Sequence, residues 1–192
     1  MASTQARVAV DLAKAYRLLN HGPTVMVSSI HEGKANLMSA AWSMPLDFAP
    51  PKVAVVIDKG TFTRGLIEGS GSFVLAVPSR ELARLTLAVG SESGREVDKF
   101  AAHEIRWSPG EHTGAPLVDG CLAWLECRLI PEPHIQQTYD LFLGEVIGAW
   151  ADPAVFSEGH WHMEEGGKRS IHYVAGGHFL EIGAPFEVTK QG

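Results

Sequence analysis

Four strand-length apolar runs crowd into the stretch from Pro23 to Pro78, each bounded by proline, glycine or a polar turn. Thr-Val-Met-Val-Ser-Ser-Ile over 24–30 is rich in β-branched residues, and His31-Glu32-Gly33-Lys34 leads straight into a second run over 35–42. The pair predicts an antiparallel hairpin. Lys-Val-Ala-Val-Val-Ile over 52–57 has the unbroken apolar character of a strand covered on both faces. Ser-Phe-Val-Leu-Ala-Val over 72–77 is a fourth strand, stopped by Pro78. Beyond it, 122–130 and 139–150 read as two long strands and 177–182 as the last clear one. The intervening helices are short. Thr61 or Thr63 opens one that ends at Gly69, Ser79 is placed to cap another over 80–89, and 98–103 makes a turn or two. Six or seven strands with so few helices predict a mostly β fold, an antiparallel barrel with inserted helices. The βαβ rhythm of a doubly wound sheet is absent, as is a GxGxxG loop opening a helix.

At 192 residues the chain suits one domain over 1–192. Val8, Leu12, Tyr16 and Leu19, with Ala15, fall at helical spacing. They predict an N-terminal helix over 4–20, capped by Ser3 or Thr4, stopped near Asn20-His21-Gly22-Pro23, and packed on the barrel or on a second subunit. About 151–192 reads as a C-terminal extension of the same domain. A net charge of -6 argues against an electrostatic nucleic-acid binder. It leaves room for an anionic cofactor held by a local cluster of donors. No apolar run approaches a membrane span, and Met1-Ala2-Ser3-Thr4-Gln5 lacks the layout of a secretory signal. The expectation is a cytoplasmic protein without a membrane partner. Cys121 and Cys127 make no disulfide framework. Their even spacing predicts one shared strand face, at a separation too long for a local bond, with a redox relay the alternative to buried structural thiols.

The segment Asn36-Leu37-Met38-Ser39-Ala40-Ala41-Trp42-Ser43 turns small and polar where a core strand would stay Val- and Ile-rich. Ser39, Ala40 and Ala41 leave the backbone uncovered for a flat ligand, Asn36, Ser39 and Ser43 add hydrogen-bonding groups, and Trp42 offers an aromatic wall. The same residues fit a strand that lets another element pack closely. Lys59-Gly60-Thr61-Phe62-Thr63-Arg64 joins a buried strand to a helix start, where Lys59, Thr61 and Thr63 supply charge, hydroxyls and open N–H groups for a phosphate. A capped helix with solvated Lys and Arg fits equally. In Ser91-Glu92-Ser93-Gly94-Arg95, followed by Lys99, Gly90 and Gly94 permit a tight turn while Ser91, Ser93 and Arg95 can donate to an anion. An exposed polar loop is the plain alternative.

These pieces recur in a known order: Asn36 to Trp42, Pro50-Pro51, Thr61-Phe62-Thr63 with Leu66-Ile67, Gly71 to Pro78, Gly90-Ser91, and Ser93-Gly94-Arg95 with Asp98-Lys99-Phe100. Cys121-Leu122-Ala123-Trp124-Leu125-Glu126-Cys127, Leu143-Gly144-Glu145-Val146 and Gly176-Gly177-His178-Phe179 follow. In this order, from Pro23 to Phe100 above all, the chain resembles the flavin reductase-like, FMN-binding split-barrel proteins, their flavoredoxin-type branch most closely. The resemblance implies a homodimer of split β-barrels with one FMN per subunit near the interface. It implies that Asn36, Ser39, Ala40, Ala41, Trp42 and Ser43 meet the ribityl chain and ring. Lys59, Thr61 and Thr63 would hold the phosphate, and Ser91, Ser93, Arg95 and Lys99 would complete the anion pocket or fix its loop. The cofactor then carries the redox chemistry, with NAD(P)H as a hydride donor and free flavin or a protein as the acceptor. Two positions depart from the family pattern. Tyr139-Asp140 stands where many members carry a His, and Phe179 where Tyr is frequent, which implies an altered nicotinamide site or a protein reductant.

The expectation is therefore an FMN-dependent oxidoreductase, an NAD(P)H:flavin reductase or a flavoredoxin-like electron carrier. Two alternatives are a non-catalytic FMN-binding storage protein and a metal-dependent hydrolase. The second would use the late histidines, since His160 and His162 share a strand face, with His172 and Glu164 or Glu165 as further ligands.

Overall fold

The computed structural model describes residues 5–19, 22–163 and 167–188. In chain order the strands are β1 (Val8–Ala9), β2 (Val25–His31), β3 (Lys34–Ala40), β4 (Ser43–Phe48), β5 (Pro51–Val56), β6 (Ser72–Pro78), β7 (Trp107–Pro109), β8 (Pro116–Val118), β9 (Cys121–Ile130), β10 (Leu141–Ala151), β11 (Phe156–Ser157), β12 (His160–Trp161), β13 (Ile171–Ala175) and β14 (His178–Glu181). The α-helices are α1 (Phe62–Ser70), α2 (Ala83–Ser91), α3 (Lys99–Ala102) and α4 (Pro133–Tyr139). The predicted hairpin is β2–β3, paired from Val25↔Ala40 to His31↔Lys34. Its two-residue loop, Glu32-Gly33, has positive φ at both positions, the twist that suits a tight hairpin.

The main sheet is antiparallel and runs β3-β2-β6-β9-β10-β5-β4, with β1 added on β10. The two end strands, β3 and β4, are consecutive in the chain and joined only by Ala41 and Trp42. So short a link brings the sheet's two edges together, which forces it to curl into a barrel. The edges do not pair across the link, and the barrel is split there. Its interior holds Val25, Val27, Val53, Val55, Phe73, Leu75, Leu125, Cys127 and Phe142. Residues of opposite parity, Met26, Leu37, Val74, Ala76 and Trp124, form a second cluster outside, covered by Val89 of α2 and by Leu117 and Val118 of β8. Each large side chain buried this way contributes roughly 1.5–3 kcal/mol.

The structure departs from the sequence expectations at five places. The N-terminal helix does not span 4–20. Val8–Ala9 is a strand on β10, and a 3-10 helix covers only Leu12–Leu18, capped by the Asp11 carboxylate accepting from Ala13 N–H. Ala15 and Leu18, three apart, are buried on it, while Leu12 at its exposed start and Val8 on β1 are exposed, so the expected stripe does not form. Ser3, Thr4, Asn20 and His21 lie outside the described residues. Tyr139 ends α4 rather than starting a strand, and Asp140 in the left-handed conformation (φ 55°) turns the chain into β10. α2 continues through Gly90 and Ser91, which read as loop in the sequence. β4 and β13 were not anticipated. The cysteines face opposite clusters, because the register between β6 and β9 shifts beside Cys121 and inserts one residue on β9. Both thiols are fully buried and unbonded to each other, and burial pushes their pKa values well up, leaving no thiolate for a relay.

The C-terminal segment returns to the barrel interior through Val155, Phe156, Met163 and Ile171. Thr24, at the head of β2, anchors β13: its N–H donates to Ile171 O (2.9 Å) and its Oγ1 accepts from Tyr173 N–H (2.6 Å). No helix among the described residues is long and apolar enough to cross a membrane.

Candidate functional site

Two adjoining cavities open beside the split, of about 590 Å³ and 210 Å³, and Met38, Ser39, Gly90 and Ser91 line both. The smaller has the donor set of a candidate anion pocket. α1 begins at its wall, and no side chain caps that helix: the Thr61 hydroxyl turns back to Asp58 O (2.8 Å) instead. The first N–H groups of α1 are thus left for a guest. Opposite stands Lys99, 3% exposed, whose ammonium donates to Leu37 O (2.8 Å) and Val89 O (2.6 Å). These bonds pin α3 to β3 and α2, and one of the three ammonium donors is left over. Burial lowers the Lys99 pKa, offset in part by the Glu92 carboxylate. Asn36 Nδ2 donates to Thr63 Oγ1 (2.9 Å), tying β3 to α1 at the pocket floor.

Glycine is required where the 90–94 turn crosses this floor. A Cβ on Gly90 would lie 2.2 Å from Ser39 Oγ, and one on Gly94 2.3 Å from Asn36 Oδ1 and 2.7 Å from Phe62 Cδ1. The 90–94 segment therefore packs directly on the Ser39 and Asn36 side chains of β3, which would have to shift to admit a Cβ. Arg95 closes the loop from outside, its Nη1 donating to Gly60 O (2.5 Å) with the guanidinium 6.0 Å from the Phe62 ring centre.

The larger cavity has a different lining. Ser39, Ala40, Ala41 and Trp42 form one side, and Thr86, Leu87, Gly90 and Ser91 of α2 face them. Val56, Asp58, Tyr139 and Asp140 and, from the C-terminal hairpin, Tyr173, Val174 and Phe179 complete it. Ala41 and Trp42 sit in the link between the sheet edges, and the small residues there keep the mouth open.

Of the thirteen site residues expected from the sequence, Asn36, Ser39, Thr61, Thr63, Ser91, Ser93 and Lys99 line the anion pocket, and Ala40, Ala41 and Trp42 join Ser39 and Ser91 at the larger cavity. Three stand apart. Lys59 is exposed and lines neither cavity. Arg95 fixes the loop as described. Ser43 begins β4, its hydroxyl buried without a partner among the described residues. Thr24, Tyr173, Val174 and Glu92 escaped the sequence reading. The first three reach the site because β13 is hydrogen-bonded back to Thr24, a contact between residues about 150 apart that local pattern does not carry.

Among the described residues no three His, Cys, Asp or Glu side chains come together as a metal site. His160 and His162 are exposed, with His162 Nε2 bonded to Ser157 Oγ (2.7 Å), and Glu164 and Glu165 lie outside the described residues.

A split antiparallel barrel with a two-part cavity beside the split, lined by hydrogen-bond donors at one end and by aromatics at the other, defines the structural class. The comparisons with known proteins name it. A family model described as a flavin reductase like domain matches residues 16–171, and this chain belongs to that family. It is similar to the FMN-binding domain of a flavin reductases-like enzyme from Shewanella baltica OS155, with 51% identity, a TM-score of 0.94, and 97% of this chain and 100% of that one covered. It is 46% identical over 179 residues to the uncharacterized protein YddH of Escherichia coli K12, spanning 92% of this chain and 95% of that one. The flavoredoxin of Desulfovibrio vulgaris (Miyazaki F) superposes with a TM-score of 0.75 at 27% identity, over 87% of this chain and 90% of that one.

Proposed function

We propose that this protein binds FMN across the two cavities and works as an NAD(P)H-dependent flavin oxidoreductase, reducing free flavin or a protein acceptor. The observation that carries the reading is the continuity of the cavities through Met38, Ser39, Gly90 and Ser91. It fits a ligand with a dianion at one end and a broad ring at the other, joined by a polar chain. The donor set suits FMN: uncapped N–H groups of α1, the Thr63 hydroxyl and the spare Lys99 donor for the phosphate, Ser39 and Ser91 at the neck for the ribityl hydroxyls. The bare backbone of Ala40 and Ala41 and the Trp42 indole suit the ring. Bound FMN supplies the two-electron chemistry. The chain's own residues hold the ring at the split, cover one side of it with β3 and α2, and leave space for a second planar molecule under Tyr173 and Phe179.

A homodimer belongs to the same reading. β4 is a sheet edge whose Met44, Leu46 and Phe48 are 53%, 46% and 64% exposed, and Trp42 beside it is 74% exposed. An apolar row of this kind on an open edge suits burial against a second chain. The test is the visible spectrum of the purified protein with added FMN, before and after anaerobic NADH or NADPH, with the particle mass from light scattering. Stoichiometric flavin bands that bleach with a nicotinamide, at twice the chain mass, are expected. Flavin that stays oxidised would move the protein to the storage reading, and failure to take up FMN would end the flavin reading.

A further inference from the structure

Arg64 lines neither cavity, yet it is 5% exposed and all three of its guanidinium nitrogens are engaged. It lies in the first turn of α1, directly after Thr63. Its Nη1 donates to Asp140 Oδ1 (2.5 Å) and Ile57 O (3.4 Å), its Nη2 to Gln136 O (2.9 Å) and its Nε to Glu68 Oε1 (2.9 Å). The guanidinium carbon stands 5.1 Å from the centre of the Phe142 ring. One side chain thus joins α1 to α4, to the start of β10 and to the residue that follows β5.

Its two carboxylate partners are not equivalent. Glu68 is half-exposed and lines neither cavity. Asp140 has a side chain only 20% exposed, and it lines the larger cavity. Its backbone is fixed as well, because Asp140 O accepts from the Ile57 N–H (2.8 Å). The lining of that cavity holds one further charge, Asp58, which is exposed and therefore screened by water, and no cation among the described residues. Asp140 is the charge that can act on a guest in the cavity, and Arg64 is what balances it from behind.

We infer that Asp140 and Arg64 together set the reduction potential of the flavin: Asp140 presents a carboxylate to the cavity, and Arg64 cancels most of its charge. Arg64 acts through Asp140 and is a positioning residue. The inference rests on the FMN reading above and adds to it how the wall tunes the bound ring. A flavin that takes up two electrons and one proton gains one negative charge. A bare carboxylate in the wall opposes that gain, and a paired one opposes it far less. With the pair intact the flavin is easier to reduce than beside a lone Asp140, and harder to reduce than beside Arg64 with no carboxylate in between.

The test is the midpoint potential of the FMN-loaded protein, measured by anaerobic reduction against a dye of known potential at one pH. Asp140→Asn keeps a side-chain oxygen for Arg64 and suits the left-handed backbone there (φ 55°), so it preserves the fold. It should shift the reduction equilibrium about tenfold toward reduced flavin, a rise of about 30 mV for a two-electron couple. Arg64→Met should shift it by a similar factor the other way, and Arg64→Met with Asp140→Asn should restore it to within about threefold. Arg64→Lys keeps the charge but cannot serve every acceptor, so it should lose stability in urea while holding the potential. That split separates charge from scaffolding, and with Asp140→Asn it decides the matter even where Arg64→Met does not fold. A potential unmoved by Asp140→Asn would overturn the inference while leaving FMN binding intact. So would shifts of the same sign in Asp140→Asn and Arg64→Met, or a fall in Arg64→Lys. A protein that takes up no FMN overturns both readings, and it is recognised at the loading step, before any reductant is added.

Discussion

At the end of the cavity beside α1, the groups that meet a ligand are already held by the protein: Lys99 by two carbonyls, Thr63 by Asn36, the 90–94 turn by close approach to β3. At the end beside β13 the walls are exposed aromatics, a two-residue link and a hairpin anchored through Thr24. On the proposed FMN reading, the first end would be a rigid receptor for the phosphate dianion, and the second an open mouth for a ligand that enters and leaves. Rigidity suits the group that stays and access suits the group that turns over. The difference can be measured by comparing FMN with riboflavin, which lacks the phosphate. Changes at the first end should alter their affinity ratio, and changes at the second should move both together.

Lys99→Met should have the largest effect. It removes the cation facing the phosphate and leaves the carbonyls of Leu37 and Val89 buried without a donor. FMN affinity should fall on the order of a hundredfold and stability by roughly 2–4 kcal/mol, while riboflavin affinity changes little in the folded variant. Parallel losses for both flavins would make Lys99 a scaffold residue only. The same residue predicts a pH dependence. Its pKa is lowered by burial, so in the free protein the ammonium loses its proton at a lower pH than a solvated lysine. Bound phosphate favours the protonated form, so FMN affinity should be level below that pKa and decline as pH rises through it. Affinity that stays level until solvated lysines titrate would remove Lys99 from the phosphate site.

How much of this was written locally in the chain follows the same division. The β2–β3 hairpin was legible because β-branched alternation and the Glu32-Gly33 turn are both short-range signals. The anion pocket was largely legible for a similar reason, since helix starts and glycine turns announce themselves in sequence. Lys59 shows the limit: adjacency to a helix start marks a residue as available without saying which way it faces. β4 was hidden because Pro45 interrupts it and its apolar residues, Met44, Leu46 and Phe48, are exposed rather than buried. The cysteine faces were misjudged because one inserted residue on β9 inverts the period-two rule, and pairing partners alone reveal it. The aromatic mouth depends on Tyr173 and Val174 meeting residues from the opposite end of the chain, which only topology supplies.

Thr63→Ala comes next in size. Loss of Oγ1 takes one hydroxyl from the phosphate and leaves Asn36 Nδ2 without its acceptor, so FMN affinity should fall about tenfold with riboflavin nearly unchanged. Lys59→Ala, only four residues earlier, should leave FMN affinity within about twofold because the side chain is solvated and lines neither cavity. Titration of each variant by flavin fluorescence checks both. A Lys59 effect as large as that of Thr63 would mean the loop closes over the phosphate when the ligand binds.

One substitution should give a modest gain. Glu92 places a carboxylate in the wall of the anion pocket, where its Oε2 meets His103 Nε2 at 2.8 Å. A dianionic phosphate held beside Lys99 must tolerate this like charge, and the His103 contact draws the carboxylate toward α3 and away from the pocket's cation. With the pair partly open to solvent, screening keeps the penalty modest. Glu92→Gln should therefore tighten FMN by about threefold and leave riboflavin unmoved, with the difference fading as salt is raised. Tighter binding of both flavins would trace the gain to the loop's conformation, and weaker FMN binding would show that the Glu92–His103 contact builds the pocket instead of opposing its ligand. Only the selective gain fits a pocket in which the Glu92 carboxylate opposes the phosphate directly.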